Sequence, residues 1–379
     1  MTDRAISPAP ARYVMIGGFL GAGKTTCILR AAERFAAAGL RVGLVTNDQA
    51  GGLVDTALSR ARDLPVEEIA GGCFCCRFNS LVEAADRLSR DAAPDILLAE
   101  PVGSCTDLVA TVSVPLARLY CDRFTVAPVS VVVDPLRAMR ILGLPGAGGG
   151  AFSPNVAYIY RKQLEEAEIV VVNKCDLVDA AARAALVAAL GAAAPGARIH
   201  EVSAREGTGL DAWFDDLLAA PSAPRPIPDI DYDRYADGEA LLGWLNAEVR
   251  VGTVGGPDWD GNARLVGVLE AIRAAVAAAG HEIAHLKATL SVEGDDLDLA
   301  AANLVRSAAR AELSHRLAEP IDAGRLLVNL RAEADPERLL QAFGEGLAAA
   351  FPDLPATVVH CEHFRPGRPV PTHRMPAAV

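Results

Sequence analysis

A glycine-rich octapeptide near the N-terminus constrains the fold more than any other feature of the sequence. Residues 18–25 read GFLGAGKT, which fits the pattern GxxxxGK[ST], and they follow the apolar run 12–16. The glycines let backbone N–H groups point at phosphates, and the N-terminus of a following helix adds its dipole. The pattern therefore predicts a strand, a phosphate-binding loop and a helix in that order; a chance glycine-rich turn is the alternative.

The residues of this loop have distinct expected roles. Lys24 should reach the β- and γ-phosphates and act in catalysis, and Thr25 should ligate Mg²⁺. The residues of this segment that are predicted to bind nucleotide are Gly18, Gly21, Ala22, Gly23, Lys24, Thr25 and Thr26.

Strands and helices alternate up to about residue 220. Short and nearly continuous apolar runs lie at 41–46, 95–99, 129–133 and 169–172, with helical stretches such as 81–89 and 180–190 between them. This order predicts an α/β fold with a mostly parallel sheet whose two faces are both covered.

A proline-rich segment, PSAPRPIP at 221–228, predicts a domain boundary. Beyond it the sequence predicts strands at 283–292, 325–332 and 357–364, and a helix that Asp335 caps and Pro336 begins. The predicted division is a P-loop NTPase domain at 1–220, a Pro-rich and acidic linker at 221–235, and a smaller α+β C-terminal domain at 236–379.

Charge and hydropathy limit the partners and the compartment. The formal net charge of −12 argues against nucleic acid and anionic membranes as partners. The first ten residues lack the apolar stretch of a signal peptide, and no uninterrupted apolar run reaches the roughly 18 residues that a membrane span needs. These features predict a cytoplasmic protein.

A second motif, NKCD at 173–176, follows the apolar run 169–172. The carboxylate of Asp176 can accept hydrogen bonds from the ring N–H and the exocyclic amine of guanine, a pair that adenine does not offer. Asn173 and Lys174 should steady the loop and cover the base. Ser203 and Ala204 follow the next predicted strand and are weaker candidates for base contacts, with a plain helix cap as the alternative.

Acidic residues after two strands are candidates for the magnesium and water site. Glu100 ends the run 95–99, and an acid there can hold Mg²⁺ or orient the attacking water, while Gly103 can sense the γ-phosphate through its N–H. Asn47, Asp48 and Asp55 lie in the segment NDQAGGLVD, which predicts a loop that closes on Mg²⁺ and the γ-phosphate. A solvated polar loop is the alternative for Asp48 and Asp55.

Three cysteines form a separate cluster. Cys73, Cys75 and Cys76 fall within one tetrapeptide that follows two glycines. Thiolates bind metals such as Zn²⁺, Co²⁺ or Cu⁺, and three of them can share one ion at about 2.3 Å if the backbone turns. The sequence offers no fourth ligand nearby, and an open position suits metal transfer. The other cysteines are expected to be buried, small apolar residues.

Together these motifs resemble the CobW-like family of metal-handling P-loop GTPases, whose relatives are the accessory GTPases for urease and hydrogenase. The resemblance rests on GGFLGAGKTT (17–26), ND…D (47–55), GGCFCC (71–76), EPVG (100–103) and NKCD (173–176). It covers residues 1–220 and extends to the C-terminal part only in general layout. It implies a protein that binds GTP, Mg²⁺ and a transition metal (Zn²⁺ or Co²⁺), and delivers the metal to a client protein or cofactor pathway.

We therefore expect a GTPase that acts as a metallochaperone. Two alternatives stay open, namely a P-loop kinase that phosphorylates a small molecule and a GTPase whose zinc site is purely structural. No arginine finger in the same chain is evident, so intrinsic GTP turnover should be slow. The sequence leaves open which metal and which client are involved, and whether the protein is a homodimer.

The C-terminal end of the chain contains further candidate ligands. His360, Cys361 and His363 lie within the predicted strand 357–364, where alternation places Cys361 and His363 on one face and His360 on the other. His281 and His285 are read as structural. The basic, proline-rich ending RPGRPVPTHR at 365–374 is expected either to dock on the GTPase domain or a client, or to be solvated.

Overall fold

The computed structural model describes residues 9–47, 64–69, 71–146, 152–219, 222 and 227–376. Within them a parallel sheet with its helices is followed by a separate antiparallel sheet. This arrangement confirms the predicted fold class, an α/β unit followed by a smaller α+β unit. The exact boundaries at 220 and 235 stay predictions.

The first sheet has its strands in the order β3-β2-β4-β1-β6-β7-β8, with β5 alongside β1, and its pairings are parallel. The strands are β1 (Ala11–Gly17), β2 (Val42–Asn47), β3 (Val66–Ile69), β4 (Ile96–Glu100), β5 (Phe124–Val126), β6 (Ser130–Val133), β7 (Ile169–Val172) and β8 (Arg198–Glu201). Because the strands run the same way, their carboxyl ends share one edge, and the segments that follow them meet there.

Helices cover the first sheet. They are α1 (Lys24–Ala37), α2 (Phe78–Asp91), α3 (Val114–Leu119), α4 (Pro135–Ile141), α5 (Pro154–Glu166), α6 (Ala180–Ala193), α7 (Leu210–Ala219) and α8 (Tyr232–Leu241). A π-helical turn (Val109–Ser113) precedes α3, and a 3₁₀ turn (Cys175–Leu177) follows β7. The sequence predicted α1, α2 and α6 to within a few residues, whereas α8 begins inside the predicted linker.

The second sheet is antiparallel, in the order β12-β11-β10-β13-β9-β14. Its strands are β9 (Gly243–Gly252), β10 (Glu282–Val292), β11 (Asp295–Leu304), β12 (Glu312–His315), β13 (Ala323–Glu333) and β14 (Ala356–Phe364). Two helices, α9 (Gly261–Ala278) and α10 (Pro336–Ala350), share a hydrophobic core with it. Asp335 caps α10 by accepting a hydrogen bond from the N–H of Glu337, and Pro336 is the first helical residue, as predicted.

Strands β9, β11 and β12 were not predicted. Strand β11, for example, reads DDLDLAAANL, and its aspartates and alanines have low intrinsic preference for strands. It forms as the second strand of a hairpin with β10, along seven residue pairs, so strand pairing outweighs its low intrinsic preference.

The two sheets are in direct contact through a buried arginine. Arg137 lies on α4, and its guanidinium donates hydrogen bonds to the carbonyl oxygens of Leu20, Ala284 and Val305. Leu20 belongs to the glycine-rich loop, whereas Ala284 lies on β10 and Val305 follows β11. In the part of the chain that the structure describes, no helix is both long and apolar enough to cross a bilayer.

Candidate nucleotide cavity and thiol cluster

The glycine-rich loop joins β1 to α1, as the sequence predicted. Gly18 has a φ of 127° and Gly23 a φ of 94°, both in the left-handed region that favours glycine. A Cβ on Gly18 would lie 2.2 Å from the carbonyl oxygen of Val132, and one on Gly23 would lie 2.5 Å from Asn173 Nδ2. Helix α1 begins directly after Gly23, so its N-terminus opens at the loop.

Three predicted residues meet at the start of α1. The Thr25 hydroxyl donates a hydrogen bond to Glu100 Oε1 at 3.0 Å, and Lys24 Nζ lies 4.0 Å from the same oxygen. A Cβ on Gly103 would lie 3.0 Å from both Leu20 N and Lys24 Nζ. Thr25, Glu100 and Gly103 therefore lie at the end of the loop where Mg²⁺ and the last phosphate of a nucleotide are expected.

The NKCD segment is fastened to the loop by side-chain hydrogen bonds. Asn173 Nδ2 donates to the carbonyl oxygen of Ala22 at 3.0 Å, and its Oδ1 accepts from the N–H of Ala204 at 3.0 Å. Lys174 Nζ donates to the carbonyl oxygen of Gly21 at 2.8 Å and forms an ion pair with Asp134 at 3.0 Å. Asn173 and Lys174 thus fix the position of the NKCD segment, the predicted base site, relative to the glycine-rich loop, the predicted phosphate site.

Asp176 and Ser203 have different environments. Asp176 is exposed and lines the cavity, where its carboxylate is available to a ligand. Ser203 is completely buried, and its hydroxyl oxygen accepts a hydrogen bond from the N–H of Glu206 at 3.3 Å. Ser203 therefore supports the turn that follows it and caps no helix, since α7 begins only at Leu210, while the neighbouring Ala204 reaches the cavity.

A cavity of about 480 Å³ extends from the glycine-rich loop to the second sheet. Among the described residues that line it are eight lysines and arginines and three carboxylates. The basic residues are Lys24, Arg30, Lys174, Arg205, Lys287, Arg306, Arg310 and Arg331. The chain as a whole is strongly acidic, so this cavity concentrates positive charge where an anionic ligand would bind.

The three cysteines of the CxCC tetrapeptide converge as predicted. Their sulfur atoms are 2.8 Å apart for Cys73 and Cys75, 3.3 Å for Cys73 and Cys76, and 3.7 Å for Cys75 and Cys76. Among the described residues they form the one group of three or more potential metal ligands close enough to share an ion. Cys73 and Cys75 are buried and Cys76 is half-buried.

A fourth thiol lies beside this cluster. Hydrogen bonding to Cys105, and then to Cys75 and Cys76, lowers the pKa of Cys73 well below its ordinary value. The pKa of Cys75 is raised well above its ordinary value, first by its hydrogen bond with Cys73, and the same kind of bond raises that of Cys76 to about 11. Cys73 therefore ionises first, which prepares the cluster for a cation. The sequence did not indicate that Cys105 lies beside the cluster, because it is 29 residues away from Cys76.

Asn47 connects the cavity to the thiols, which the sequence did not predict. It lies at the end of β2 and lines the cavity. Its Nδ2 donates to the carbonyl oxygens of Ile69 at 3.0 Å and Gly72 at 2.7 Å, and its Oδ1 accepts from the N–H of Phe74 at 2.8 Å. The Asn47 amide is therefore engaged by the cysteine segment, and the closing of the loop 47–55 on Mg²⁺ stays a prediction. Asp48 and Asp55 lie outside the described residues.

The C-terminal tail, defined here as residues 369–376, docks over the cysteines. The N–H of Val370 donates to Cys76 Sγ at 3.2 Å, and the N–H of Thr372 donates to the carbonyl oxygen of Cys75 at 2.8 Å. Arg374 forms an ion pair with the buried Asp107 at 2.8 Å. This segment was expected either to dock or to be solvated, and in the structure it is docked on the predicted GTPase domain.

The C-terminal histidines do not gather around a common point. His363 Nε2 lies 3.1 Å from Glu337 Oε1, and His360 Nε2 lies 4.0 Å from Glu362 Oε1. Cys361 packs against the core of the second sheet. His285, read as structural from the sequence, instead lines the nucleotide cavity.

A glycine-rich loop between a strand and a helix, with an NKxD segment on the same edge of a parallel sheet, defines a P-loop nucleotide-binding protein. The family described as "CobW/HypB/UreG, nucleotide-binding domain" matches residues 12–201, which is half of the chain. The protein belongs to the CobW/HypB/UreG family, and the resemblance drawn from its motifs is confirmed.

Two relatives are named as zinc chaperones. The chain is 28% identical over 201 residues to "Zinc chaperone CobW" of Sinorhizobium sp, which covers 48% of this chain and 55% of that protein. It is 30% identical over 175 residues to "Zinc chaperone YeiR" of Escherichia coli (strain K12), which covers 44% of this chain and 47% of that protein. The chain thus spans about half the length of the relatives it matches.

Solved structures of low identity share part of the layout. HypB from Helicobacter pylori in complex with nickel is 18% identical, covers 55% of this chain and 86% of its own, and has a TM-score of 0.41. Zn(II)-bound YjiA GTPase from E. coli is 16% identical, covers 88% of this chain and 98% of its own, and has a TM-score of 0.37. At these TM-scores the likeness supports no inference about this chain.

Proposed function

We propose that this protein is a GTP-hydrolysing metallochaperone that binds Zn²⁺ or Co²⁺ at Cys73, Cys75 and Cys76 and passes it to a client protein or cofactor pathway. The names of the two chaperone relatives favour zinc as the cargo. The observation that carries the proposal is that the nucleotide cavity and the thiol cluster are joined by two short segments of chain.

The first connection runs through the loop after β4. Glu100 accepts the hydrogen bond of Thr25, Gly103 faces Lys24, and Cys105 reaches Cys73 only two residues later. Gln163 Nε2 donates to the carbonyl oxygens of both Gly103 (3.0 Å) and Cys105 (2.7 Å), so these two residues are tied to one side chain. A displacement of Gly103 by a γ-phosphate would therefore move Cys105.

The second connection runs through Asn47. Its backbone ends β2 beside the cavity, and its side-chain amide binds the residues on either side of Cys73, namely Gly72 and Phe74. A change in the segment after β2 on nucleotide binding would alter this bond, and with it the spacing of the thiols. Such coupling is reciprocal, so if GTP tightens metal binding, the metal tightens GTP binding by the same factor.

Within the nucleotide site each predicted residue has a proposed role. Lys24 would bind the β- and γ-phosphates, Thr25 would ligate Mg²⁺ with Glu100 beside it, and Asp176 would read guanine. Asn173 and Lys174 would keep the base site in register with the loop. The carboxylate at Asp176 is the feature that favours a GTPase over a small-molecule kinase, because it matches the donors of guanine.

The test is a titration of Zn²⁺ and Co²⁺ into reduced protein with GTP·Mg²⁺, with GDP·Mg²⁺ and without nucleotide. The Cys73→Ser/Cys75→Ser/Cys76→Ser variant should lose at least about 10⁴-fold in metal affinity, since zinc–thiolate sites bind with about 10–16 kcal/mol in total. A Cys121→Ser variant, which removes an exposed cysteine, is the matched control.

We expect a metal affinity that differs between GTP and GDP in the wild type and in the Cys121 variant. Equal affinity in all three nucleotide states would overturn the metallochaperone proposal. If metal removal also unfolded the chain, the purely structural zinc site would replace it. Preference for ATP with a phosphorylated small-molecule product would favour the kinase.

A further inference from the structure

The second sheet places a lysine against the phosphate-binding loop. Lys287 lies on β10, and its Nζ is 3.4 Å from Thr25 Oγ1. The same hydroxyl donates to Glu100 at 3.0 Å. The ammonium group of Lys287 therefore stands beside the threonine proposed to ligate Mg²⁺, at the end of the loop where the γ-phosphate of GTP would lie.

A second basic residue from this part of the chain, Arg306, has a buried hydrogen-bond donor without an acceptor. Arg306 follows β11 and lines the cavity, and its Nε is buried without a hydrogen bond to any described residue. An unsatisfied buried donor costs about 1–3 kcal/mol, and more when it is charged. A phosphate oxygen in the cavity would supply the acceptor that this group lacks.

The position of these cations is set by tight packing. A Cβ on Gly21 would lie 2.9 Å from the carbonyl oxygen of Ala284 and 3.0 Å from Val305 Cβ, so the second sheet contacts the loop itself. The buried guanidinium of Arg137 binds both sides of this contact. Lys287 and Arg306 follow these contact residues by three positions and one position, so the packing places their backbone close to the loop.

The electrostatics of the neighbourhood match an anionic ligand. Burial, and then the positive charge of Lys287, lowers the pKa of His285 well below its ordinary value, so this histidine adds no further charge at neutral pH. Only four of the 36 basic residues of the chain are lysine, and three of them, Lys24, Lys174 and Lys287, line the cavity. A chain that otherwise uses arginine places compact ammonium groups here.

We propose that Lys287 acts within the same chain on the γ-phosphate of bound GTP, as the cation that stabilises the transition state of hydrolysis, with Arg306 as a second cation at the same phosphates. This inference rests on the proposed GTPase function. It replaces the expectation that the protein has no such group, because the cations come from the second sheet, more than 250 residues after the loop in sequence.

In this reaction a water oxygen forms a new bond to the γ-phosphorus, and the bond from that phosphorus to the β–γ bridging oxygen breaks. The electron pair of the broken bond leaves with GDP, and the products are GDP, inorganic phosphate and one proton. The ammonium of Lys287 keeps its protons throughout. It stabilises the charge that develops on the transferring oxygens, which is a contribution made mainly in the transition state.

The experiment compares single-turnover GTP hydrolysis and GDP affinity in four proteins: wild type, Lys287→Gln, Lys287→Arg and the matched control Lys162→Gln. Lys162 lies on α5, pairs with Glu165 at 2.7 Å and does not line the cavity. We expect Lys287→Gln to lower the hydrolysis rate about 10²- to 10³-fold. Its GDP affinity should stay within about threefold of the wild type, because GDP lacks the γ-phosphate on which Lys287 is proposed to act.

Lys287→Arg should recover part of the rate, and Lys162→Gln should match the wild type. A further readout is the binding of GDP with aluminium fluoride, which imitates the transferring phosphoryl group and should be lost in Lys287→Gln only. An unchanged rate in Lys287→Gln overturns the inference. So does a fall in rate accompanied by an equal fall in GDP affinity, which would make Lys287 a binding group only. A wild type that neither binds nor hydrolyses GTP would instead overturn the proposed function.

Discussion

The nucleotide cavity and the thiol cluster lie on the same parallel sheet, yet their surroundings are opposite in character. The cavity is open and has a volume of about 480 Å³, and among the described residues that line it eight are basic and three are carboxylates. The thiol cluster is almost sealed, with Cys73 and Cys75 only 4% and 1% exposed. Burial raises the pKa of the neighbouring Glu239 to about 8, so this carboxyl is largely protonated and uncharged at neutral pH.

This difference fits the two proposed ligands. A nucleotide is an abundant anion that must enter and leave, and an open, positively charged cavity attracts it. A thiolate-bound metal must be kept from competing chelators until it is transferred, which a buried cluster under a docked tail achieves. One sheet can thus carry an open site, where the ligand would exchange with solvent, and a buried site. The loop from Glu100 to Cys105 joins the two.

The largest effect is expected from Asp176, the residue proposed to make the cavity selective for guanine. Asp176→Ala should lower GTP affinity about 10²- to 10⁴-fold, since two hydrogen bonds to a charged group are worth about 1.5–3 kcal/mol each. Metal affinity without nucleotide should not change. Competition binding with a fluorescent guanine nucleotide, with ATP as reference, measures both. A variant that keeps its preference for GTP would exclude Asp176 as the base-reading residue.

A second test concerns the buried carboxyl of Glu166, on the side of the molecule where the thiol cluster lies. Burial raises the pKa of Glu166 to about 8, and its oxygens accept hydrogen bonds from Thr106 and from the N–H of Val109, near the thiol loop. Because the folded-state pKa is the higher one, this group's stabilisation is fully present below about pH 4.5 and is lost as pH rises through 8. The Glu166→Gln substitution keeps the shape of the side chain but removes its ability to ionise.

We therefore expect the free energy of unfolding of the wild type to fall, relative to that of Glu166→Gln, by on the order of 3 kcal/mol between pH 5 and pH 8. Chemical denaturation at several pH values measures this difference. Parallel pH profiles of the two proteins would mean that Glu166 is ionised in the fold, and that the thiol side is not the uncharged environment described above.

The smallest effect is expected from removing the C-terminal tail that covers the thiol cluster. Removal of residues 369–379 deletes the N–H donors of Val370 and Thr372 to the cysteine loop. A few such bonds, offset by the entropy of ordering the tail, should protect Cys76 about tenfold. The rate of alkylation of Cys76 in the metal-free protein measures it, with the exposed Cys121 as the internal reference. An unchanged ratio of the two rates would show that the tail does not guard the thiols.

Much of the cavity could be predicted from the sequence because its signals are local. The loop 18–25, the acid at Glu100 and the NKCD tetrapeptide each follow an apolar run that forms a parallel strand. Since parallel strands end at one edge, residues that follow those runs meet there without further information. The CxCC sulfurs converge for a similar reason, because they lie within one turn after two glycines.

The remaining features depend on contacts between distant parts of the chain. Cys105 follows a motif residue, yet only the folded loop brings it to Cys73. Asn47 was expected in the loop that closes on Mg²⁺, and only the fold shows that its amide binds the cysteine segment. The tail was expected either docked or solvated, and only its hydrogen bonds to Cys75 and Cys76 decide between the two.

The α/β class, the phosphate loop and the convergence of the three thiols could be predicted from the sequence, because each depends on neighbouring residues or on the shared edge of parallel strands. The guanine-reading role of Asp176 stays a prediction. Tertiary structure alone decided that β10 and β11 bring Lys287 and Arg306 to that loop. The pairing of β10 with β13 and the buried guanidinium of Arg137 set that approach. Such contacts depend on packing between residues far apart in the chain, and no local pattern encodes them.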